Sequence, residues 1–365
     1  MSHLVAVILA GGGGTRLWPV SRRSHPKQVL RISGDRSLFT ESIDRLTPWL
    51  PLPQILVAAS GDLVEALQLE VPDLGRENFV LEPQPKGTAA VLGLAAVILR
   101  QQDPEAVMAV LTSDHAIQHP DRLRSLLLAG SELALSGRLV TLGIPPEAPD
   151  TGYGYIRRGE SLGVVLGEKV YAALQFKEKP DAATAREYVD SGEYYWNSGM
   201  FLWRPERLLD EIEHWMPDLH RALSDFAARK STAADEALTN AWRALAPQTI
   251  DYGIMEHASD VAVLDAAGLG WSDIGSWDRV YQLLSKDASG NAAYGGQAVV
   301  RESSGNLIVG DAQGGAARLF VLQGVRDLVL IDTGDVLLVC RRDQSGLVRE
   351  IVEQLDRSGL ERFLA

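Results

Sequence analysis

The glycine run Gly11-Gly12-Gly13-Gly14 follows directly on the apolar stretch Leu4–Ala10 and leads into Thr15 and Arg16. Glycine has no Cβ and tolerates positive φ, so successive backbone N–H groups in such a turn can close on a phosphate. Arg16, and Lys27 within Pro26-Lys27-Gln28, place two cations just beyond the loop. A guanidinium forks across phosphate oxygens and an ammonium supplies a compact charge. Alone, each cation would read as solvated surface; behind a phosphate-type loop they read as ligand binders. The spacing excludes two familiar motifs. A dinucleotide G-x-G-x-x-G turn fails because position 16 is Arg, and no Gly-Lys-Ser/Thr follows as a Walker A loop requires.

Asp114 comes just after the apolar run Ala106–Leu111, at what should be the carboxyl end of a strand. A carboxylate there suits Mg²⁺, which takes one or two carboxylates together with phosphates and water; a turn or helix cap is the plainer alternative. Lys179, in Phe176-Lys177-Glu178-Lys179-Pro180, follows a strand-like run. Proline holds the residue before it extended rather than helical, a geometry that can project an ammonium into a cleft. No Ser/His/Asp triad stands out. His115 reads as a structural hydrogen-bonder, and Tyr194-Tyr195-Trp196 as core packing beside a strand.

These residues must be positioned by a larger framework. The apolar runs 4–10, Ile55–Ala59, Ala106–Leu111 and Leu139–Leu142 alternate with segments of helical spacing, Ala89–Arg100 and Asp121–Ser136. Strands alternating with helices predict an α/β fold: a doubly wound, mainly parallel sheet with ligands at the carboxyl ends of its strands. Thr151–Arg158, Lys169–Lys177 and Gly199–Trp203 read as further strands, with helices from Arg207 to Arg229 and from Ala233 to Ala244 forming a second wall. From about Ser289 short β-like runs recur, and they could stack as β-helix coils before a terminal helix over Leu347–Leu355. We expect a catalytic domain over 1–285 and a small β-rich domain over 286–365 that serves packing or dimerisation.

Bulk composition narrows the classes. The chain has 365 residues, 46% hydrophobic and 23% charged, with a formal net charge of −13. That charge argues against broad nucleic-acid binding, which needs clustered Lys and Arg. The lone Cys340 excludes an internal disulfide framework and fits a reducing, cytoplasmic setting; it reads as a buried strand residue. The apolar N-terminus lacks a basic flank and is cut by glycines well short of the roughly 20 residues of a membrane span, so no membrane partner is expected.

The segment 11–19, continuing Leu17-Trp18-Pro19, together with Pro26-Lys27-Gln28, resembles the signature of nucleoside-diphosphate-sugar pyrophosphorylases. Trp18 and Gln28 resemble most the mannose-1-phosphate guanylyltransferase branch. The resemblance runs on through Glu82-Pro83, Ser113-Asp114-His115, Thr151-Gly152-Tyr153-Gly154-Tyr155-Ile156, the Phe176–Pro180 segment, Trp196-Asn197-Ser198-Gly199-Met200-Phe201, Ile250-Asp251-Tyr252 and Trp271-Ser272-Asp273-Ile274-Gly275-Ser276-Trp277. Two departures occur. The family usually has Asn-Thr-Ala-Pro-Ala near Lys86-Gly87-Thr88-Ala89-Ala90, so Gly87 lacks a side-chain amide, and Pro-Ala-Asp-His where this chain has Thr112-Ser113-Asp114-His115.

The resemblance implies attack by a phosphate oxygen of mannose 1-phosphate on the α-phosphorus of GTP, with pyrophosphate leaving in line. It implies that Ala10, Gly11, Gly12, Gly13, Gly14 and Thr15 hold the nucleotide with Glu82, Pro83, Thr88 and Ser113. Arg16 and Lys27 would neutralise phosphate charge, and Asp114 and Asp273 would hold Mg²⁺. Asp273 has a competing reading as a cap for the segment near Gly275. Gly152, Glu178, Lys179 and Asn197 would take the sugar phosphate. A homodimer is expected. So is the absence of sugar-phosphate isomerase activity, because the tail has no His-rich metal cluster. The rivals are the same reaction with another base or sugar, such as thymidylyl transfer to glucose 1-phosphate, and a catalytically silent sensor on the same fold.

Overall fold

The computed structural model describes residues 3–12, 14–32, 34–229, 236–310 and 318–365. Gly13 and the start of the helix expected over 233–244 lie outside the described residues. Tertiary contacts divide the chain into two compact units, residues 1–11, 42–113 and 117–271 in one and 12–41, 114–116 and 272–365 in the other.

The first unit is built on a nine-stranded sheet. Its order is Phe79–Leu81, Ile55–Ala59, Leu4–Ala10, Val107–Thr112, Tyr194–Trp203, Leu139–Ile144, Val261–Asp265, Glu168–Lys177 and Tyr155–Val165. All run one way except Tyr194–Trp203 and Glu168–Lys177, which are antiparallel to their neighbours. This is the α/β sheet expected from the alternating runs. Leu4–Ala10 lies between two parallel neighbours, in register Ala10↔Ala59 on one side and Leu9↔Thr112 on the other. A central parallel strand is covered on both faces, which is why its sequence is a continuous apolar run instead of an alternation. The helix Thr88–Gln102 supplies a buried row from Ala89 to Leu99 to the core beneath the sheet.

The segment expected to be helical over 207–229 is two helices, Pro205–Trp215 and Pro217–Arg229. The break falls at Met216 because proline lacks an N–H and is suited only to the first turn of a new helix. Among the described residues no helix is long and apolar enough to cross a membrane.

In the second unit the strands Ala292–Tyr294, Leu307–Val309 and Leu328–Asp332 pair in parallel, and Gln297–Arg301 pairs in parallel with Leu319–Gln323. This is β-helix-like stacking of short strands. Buried asparagines stitch the coils: Asn306 Nδ2 donates to Asn291 Oδ1 at 2.8 Å, and Asn306 Oδ1 accepts from Leu328 N at 3.0 Å. The expected terminal helix spans Val348–Arg357. Leu17, Trp18, Leu30 and Ile32 share one apolar cluster with Trp277, Val309, Val329 and Ile331. The loop that follows the glycines is therefore anchored on the C-terminal β-coil.

Candidate active site

The residues singled out from the sequence gather in two clusters, one in each unit. In the second unit Gly12 and Gly14 have φ of +95° and +56°, the left-handed region that a phosphate-type turn asks of its glycines. At Gly14 a Cβ would lie 2.4 Å from Ser21 Oγ and 2.7 Å from Lys27 Cβ, so only glycine permits this packing. A single 3₁₀ turn, Thr15–Leu17, follows, and Leu17 N donates to Gly14 O at 2.8 Å. Its side chain Arg16 is exposed and makes no ion pair within the described residues. The turn is fixed from below by Trp277 Nε1, which donates to Trp18 O at 3.0 Å, and by Trp18 Nε1, which donates to Phe363 O at 2.9 Å.

Lys27 is buried, and its ammonium donates to Asp114 Oδ2 at 2.7 Å and to the Asp273 backbone carbonyl at 2.8 Å. Folding thus gathers onto Lys27 two residues that lie 87 and 246 positions further along the chain. Burial pushes the Asp114 carboxyl up, but the positive charge of Lys27 and His115 outweighs it and leaves the group below its ordinary value. Asp114 is therefore an anion. The capping reading of Asp273 has a structural answer: Ser276 is the N-cap of the helix Trp277–Leu283 and accepts from Arg279 N. Asp273 Oδ1 instead accepts from Gly275 N at 3.1 Å, a tight local turn. The acceptors gathered on Lys27, the Asp114 carboxylate and the Asp273 backbone carbonyl, are oxygens, the donor type a hard divalent cation takes, although among the described residues no three or more His, Cys, Asp or Glu side chains group as a metal cluster.

In the first unit, Glu178, Lys179 and Asn197 come together. Lys179 Nζ donates to Glu178 Oε1 at 2.8 Å, and Asn197 N donates to Gly154 O at 2.8 Å. Gly154 lies between them, since a Cβ there would meet Glu178 Oε2 at 2.3 Å and Asn197 Cβ at 3.2 Å. Lys179 corrects one expectation: its φ is +48°, left-handed instead of extended. The conformation is held by its own N–H, which donates to Tyr153 O at 3.2 Å. Such strain in a lysine costs about 1–3 kcal/mol and collects at ligand sites. Burial lowers the Lys179 ammonium's pKa but Glu178 more than restores it, and the net shift is upward. Tyr153 packs on Trp196 and Trp271 with ring centres 4.9 and 5.3 Å away. Gly152 sits in the preceding turn, donating its N–H to Asp150 Oδ1 at 2.8 Å.

The remaining residues expected to hold the nucleotide in this unit are spread over three strand ends and the start of the helix Thr88–Gln102. Ala10 is buried at the end of its strand, and Gly11 is exposed beyond it. Ser113 N donates to Leu9 O at 3.0 Å, while its buried hydroxyl has no partner among the described residues. Glu82 Oε2 accepts from Lys86 N at 3.1 Å, and burial raises the Glu82 pKa. Pro83 continues this partly exposed turn. The Thr88 hydroxyl accepts from Ile250 N at 2.9 Å. Gly87, where the family usually has Asn, has φ +85°, and a Cβ would meet Gln248 O at 2.3 Å. Asparagine does not fit this backbone.

Sequence reasoning missed Asp251 and Glu256. Asn197 Nδ2 donates to Asp251 Oδ1 at 2.8 Å, and Glu178 N donates to Glu256 Oε1 at 2.9 Å. Burial and the Glu178 charge push the Asp251 carboxyl up to about 6. The available signal was the aspartate of Ile250-Asp251-Tyr252, a segment that carries the family resemblance without an assigned role.

A phosphate-type loop after the first strand of a doubly wound sheet, a buried lysine bound to the Asp114 carboxylate and the Asp273 carbonyl, and a separate Glu-Lys-Asn cluster are features that a nucleotidyltransferase would use. The Nucleotidyl transferase family model matches residues 5–290, and a MannoseP isomerase/GMP-like beta-helix domain model matches 296–355. The chain belongs to the Nucleotidyl transferase family, and it is an enzyme. It is 37% identical to the mannose-1-phosphate guanylyltransferase of Escherichia coli, over 98% of this chain and 74% of that protein. It is 34% identical to the alginate biosynthesis protein AlgA of Pseudomonas aeruginosa, over 98% of this chain and 73% of that one. Among solved structures it is similar to that of a Thermus thermophilus protein described as a mannose-1-phosphate geranyltransferase. There the TM-score is 0.84 at 32% identity, covering 97% of this chain and 99% of the other.

Proposed function

We propose that the chain makes GDP-mannose and pyrophosphate from GTP and mannose 1-phosphate. The observation that carries base and sugar is the likeness to mannose-1-phosphate guanylyltransferases along nearly the whole chain. A sugar-phosphate oxygen attacks the α-phosphorus of GTP, a new P–O bond forms, and the bond to the β-phosphate oxygen breaks. A phosphate monoester's second pKa is about 6, so the nucleophile is already an anion near neutrality and needs no general base. The residues act by alignment and by neutralising charge.

In this reading the backbone of Gly11, Gly12, Gly14 and Thr15, with Glu82, Pro83, Thr88 and Ser113, holds the nucleotide. Arg16, exposed beside the loop, is free to reach phosphate oxygens. Lys27 holds the Asp114 carboxylate and the Asp273 carbonyl and adds positive charge beside the transferring phosphate. Lys179 grips the phosphate of the acceptor, while Glu178 and Asn197 take its sugar hydroxyls with Gly152 in the adjoining turn. Enzymes of this family generally use a divalent metal; Asp114 and Asp273 would hold Mg²⁺ here, and when bound it supplies positive charge to the phosphate oxygens.

We extend the proposal to a cytoplasmic homodimer with no nucleic-acid partner, in which residues 1–285 are catalytic and 286–365 serve packing or dimerisation. Val299, Leu319 and Val321 are exposed on the paired strands of the β-coil, an apolar patch that supports subunit contact. Turnover with GTP, dTTP, ATP and UTP against mannose 1-phosphate and glucose 1-phosphate tests base and sugar. Preference for dTTP with glucose 1-phosphate would replace this assignment, and no pyrophosphate release from any pair would favour the silent sensor.

A further inference from the structure

We infer that the turn Asp251–Met255, with Glu256 behind it, is the positioning device of the sugar cluster: Asp251 fixes the Asn197 carboxamide and Glu256 fixes the Glu178 backbone. The inference rests on the reading of Glu178, Lys179 and Asn197 as the sugar-phosphate site.

The hydrogen bonds leave Asn197 one orientation. Its Oδ1 accepts from Gly199 N at 3.0 Å, and its Nδ2 donates to Asp251 Oδ1 at 2.8 Å. A backbone N–H only donates and a carboxylate only accepts, so the amide cannot be reversed without losing both bonds. One of the two amide N–H groups remains for a ligand. Glu178 is held in the complementary sense: Lys179 takes Oε1, and Oε2 lies beside Gly154 as an acceptor. The pair therefore offers one fixed donor and one fixed acceptor, a combination suited to the oxygen of one sugar hydroxyl and the proton of another.

Local backbone geometry explains how one short segment reaches both residues. Asp251–Met255 is a π-helical turn, and Glu256 N donates to Asp251 O at 3.0 Å, closing an i→i+5 ring. Five residues along an α-helix advance about 500°, which would leave Asp251 and Glu256 roughly 140° apart. The wider turn returns them to the same side. Such turns are rare and concentrate at functional sites. Its entry is anchored by Ile250 N, which donates to the Thr88 hydroxyl at 2.9 Å. The Asp251 carboxyl also sits where burial raises its pKa, a cost that a purely structural hydrogen bond to asparagine would not require of an acid.

The test is steady-state kinetics of Asp251→Ala, Asp251→Asn and Glu256→Ala with GTP and mannose 1-phosphate, alongside thermal melting. Asp251→Ala should raise KM for mannose 1-phosphate by about tenfold or more, the scale of one charged hydrogen bond, with KM for GTP within about twofold. Asp251→Asn keeps an acceptor for Asn197 and should recover most of that loss. Glu256→Ala should share the sugar-phosphate defect. The exchange Asn197→Asp with Asp251→Asn restores a hydrogen bond between the two positions but removes the ligand-facing N–H. It should melt near the parent while its mannose 1-phosphate KM stays high. Recovery of KM in the exchange variant, or an Asp251→Ala protein whose KM rises equally for both substrates, would overturn the inference. If any variant does not fold, calorimetric titration of mannose 1-phosphate into Asp251→Asn and the exchange variant decides by the same comparison. Failure of the functional reading is a different result, since the unaltered chain would then show no GDP-mannose formation.

Discussion

Lys27 and Asp114 meet at 2.7 Å with Lys27 only 8% exposed, and the same ammonium reaches the Asp273 carbonyl. A buried pair of this kind gives little net stability, but removing one partner strands the other and costs about 3–5 kcal/mol. Lys27→Met should therefore destabilise the protein by a few kcal/mol and abolish turnover. Adding Asp114→Leu should return much of the stability and none of the activity. Urea unfolding of the parent, the two single variants and the double variant reads the coupling. A double variant no more stable than Lys27→Met would mean that the pair is a net source of stability.

Asp273→Asn separates metal binding from turn formation. Asp273 Oδ1 accepts from Gly275 N, a bond that asparagine's oxygen can also make, and the following helix is capped by Ser276. Stability should change much less than turnover, because the Gly275 N–H keeps an acceptor in asparagine's oxygen. Turnover should fall steeply, and the Mg²⁺ needed for half-maximal rate should rise, as it should for Asp114→Asn. A variant with unchanged metal dependence would remove Asp273 from the metal site.

The sheet and the loop after its first strand were legible because their signals are local. An uninterrupted apolar run such as Leu4–Ala10 marks a strand covered on both faces, and glycines mark the positive φ seen at Gly12 and Gly14. What the chain did not disclose depends on distant partners. Lys27's two acceptors lie 87 and 246 residues away, and nothing at position 27 reports that both of them bind it. Lys179 departs from expectation for a related reason: the steric rule for residues before proline is local, while a tertiary bond to Tyr153 O holds the left-handed conformation. Asp251 was visible as a residue, but its purpose follows from a π turn, which has no compositional mark of its own.

That left-handed conformation gives a prediction of its own. Lys179→Gly and Lys179→Ala both remove the ammonium and should weaken mannose 1-phosphate alike, by roughly the 1.5–3 kcal/mol of a charge-assisted hydrogen bond, with little change for GTP. Only glycine is at ease at φ +48°. Lys179→Gly should therefore be more stable than Lys179→Ala by about 1 kcal/mol in urea unfolding. Equal stabilities would show that the backbone relaxes once the side chain is gone.

Gly87→Asn introduces the residue usual in the family and should still be damaging here. Its Cβ would meet Gln248 O at 2.3 Å in a backbone with φ +85°. The same stretch carries the reciprocal bonds Ala89 N to Gln248 O and Gln248 N to Lys86 O, and the Thr88 hydroxyl holds Ile250 N. Displacement of 248–250 should loosen Asp251 as well. The expected result is a loss of more than about 1 kcal/mol of stability together with a raised KM for mannose 1-phosphate. A variant that keeps full stability would show that this segment moves at little cost.

The Asp251 carboxyl should cost stability at neutral pH, and the sign follows from linkage. Its pKa is pushed up from 3.8 to about 6 by burial and by the Glu178 charge. Between these values the folded protein binds a proton that the unfolded chain releases, so folding is favoured by protonation. The contribution is fully present below the unfolded value and is lost as pH rises through about 6. Once the group is ionised, the folded state carries a penalty on the order of 2–3 kcal/mol. Asp251→Asn retains an oxygen to accept from Asn197 and cannot ionise, so it escapes that penalty. It should be more stable than the parent near pH 7.5, and the advantage should shrink toward zero near pH 4. Urea unfolding of the two proteins at several pH values measures the difference directly. A variant that is no more stable than the parent at pH 7.5, or whose advantage grows as the pH falls, would mean that the Asp251 anion is well compensated by its surroundings.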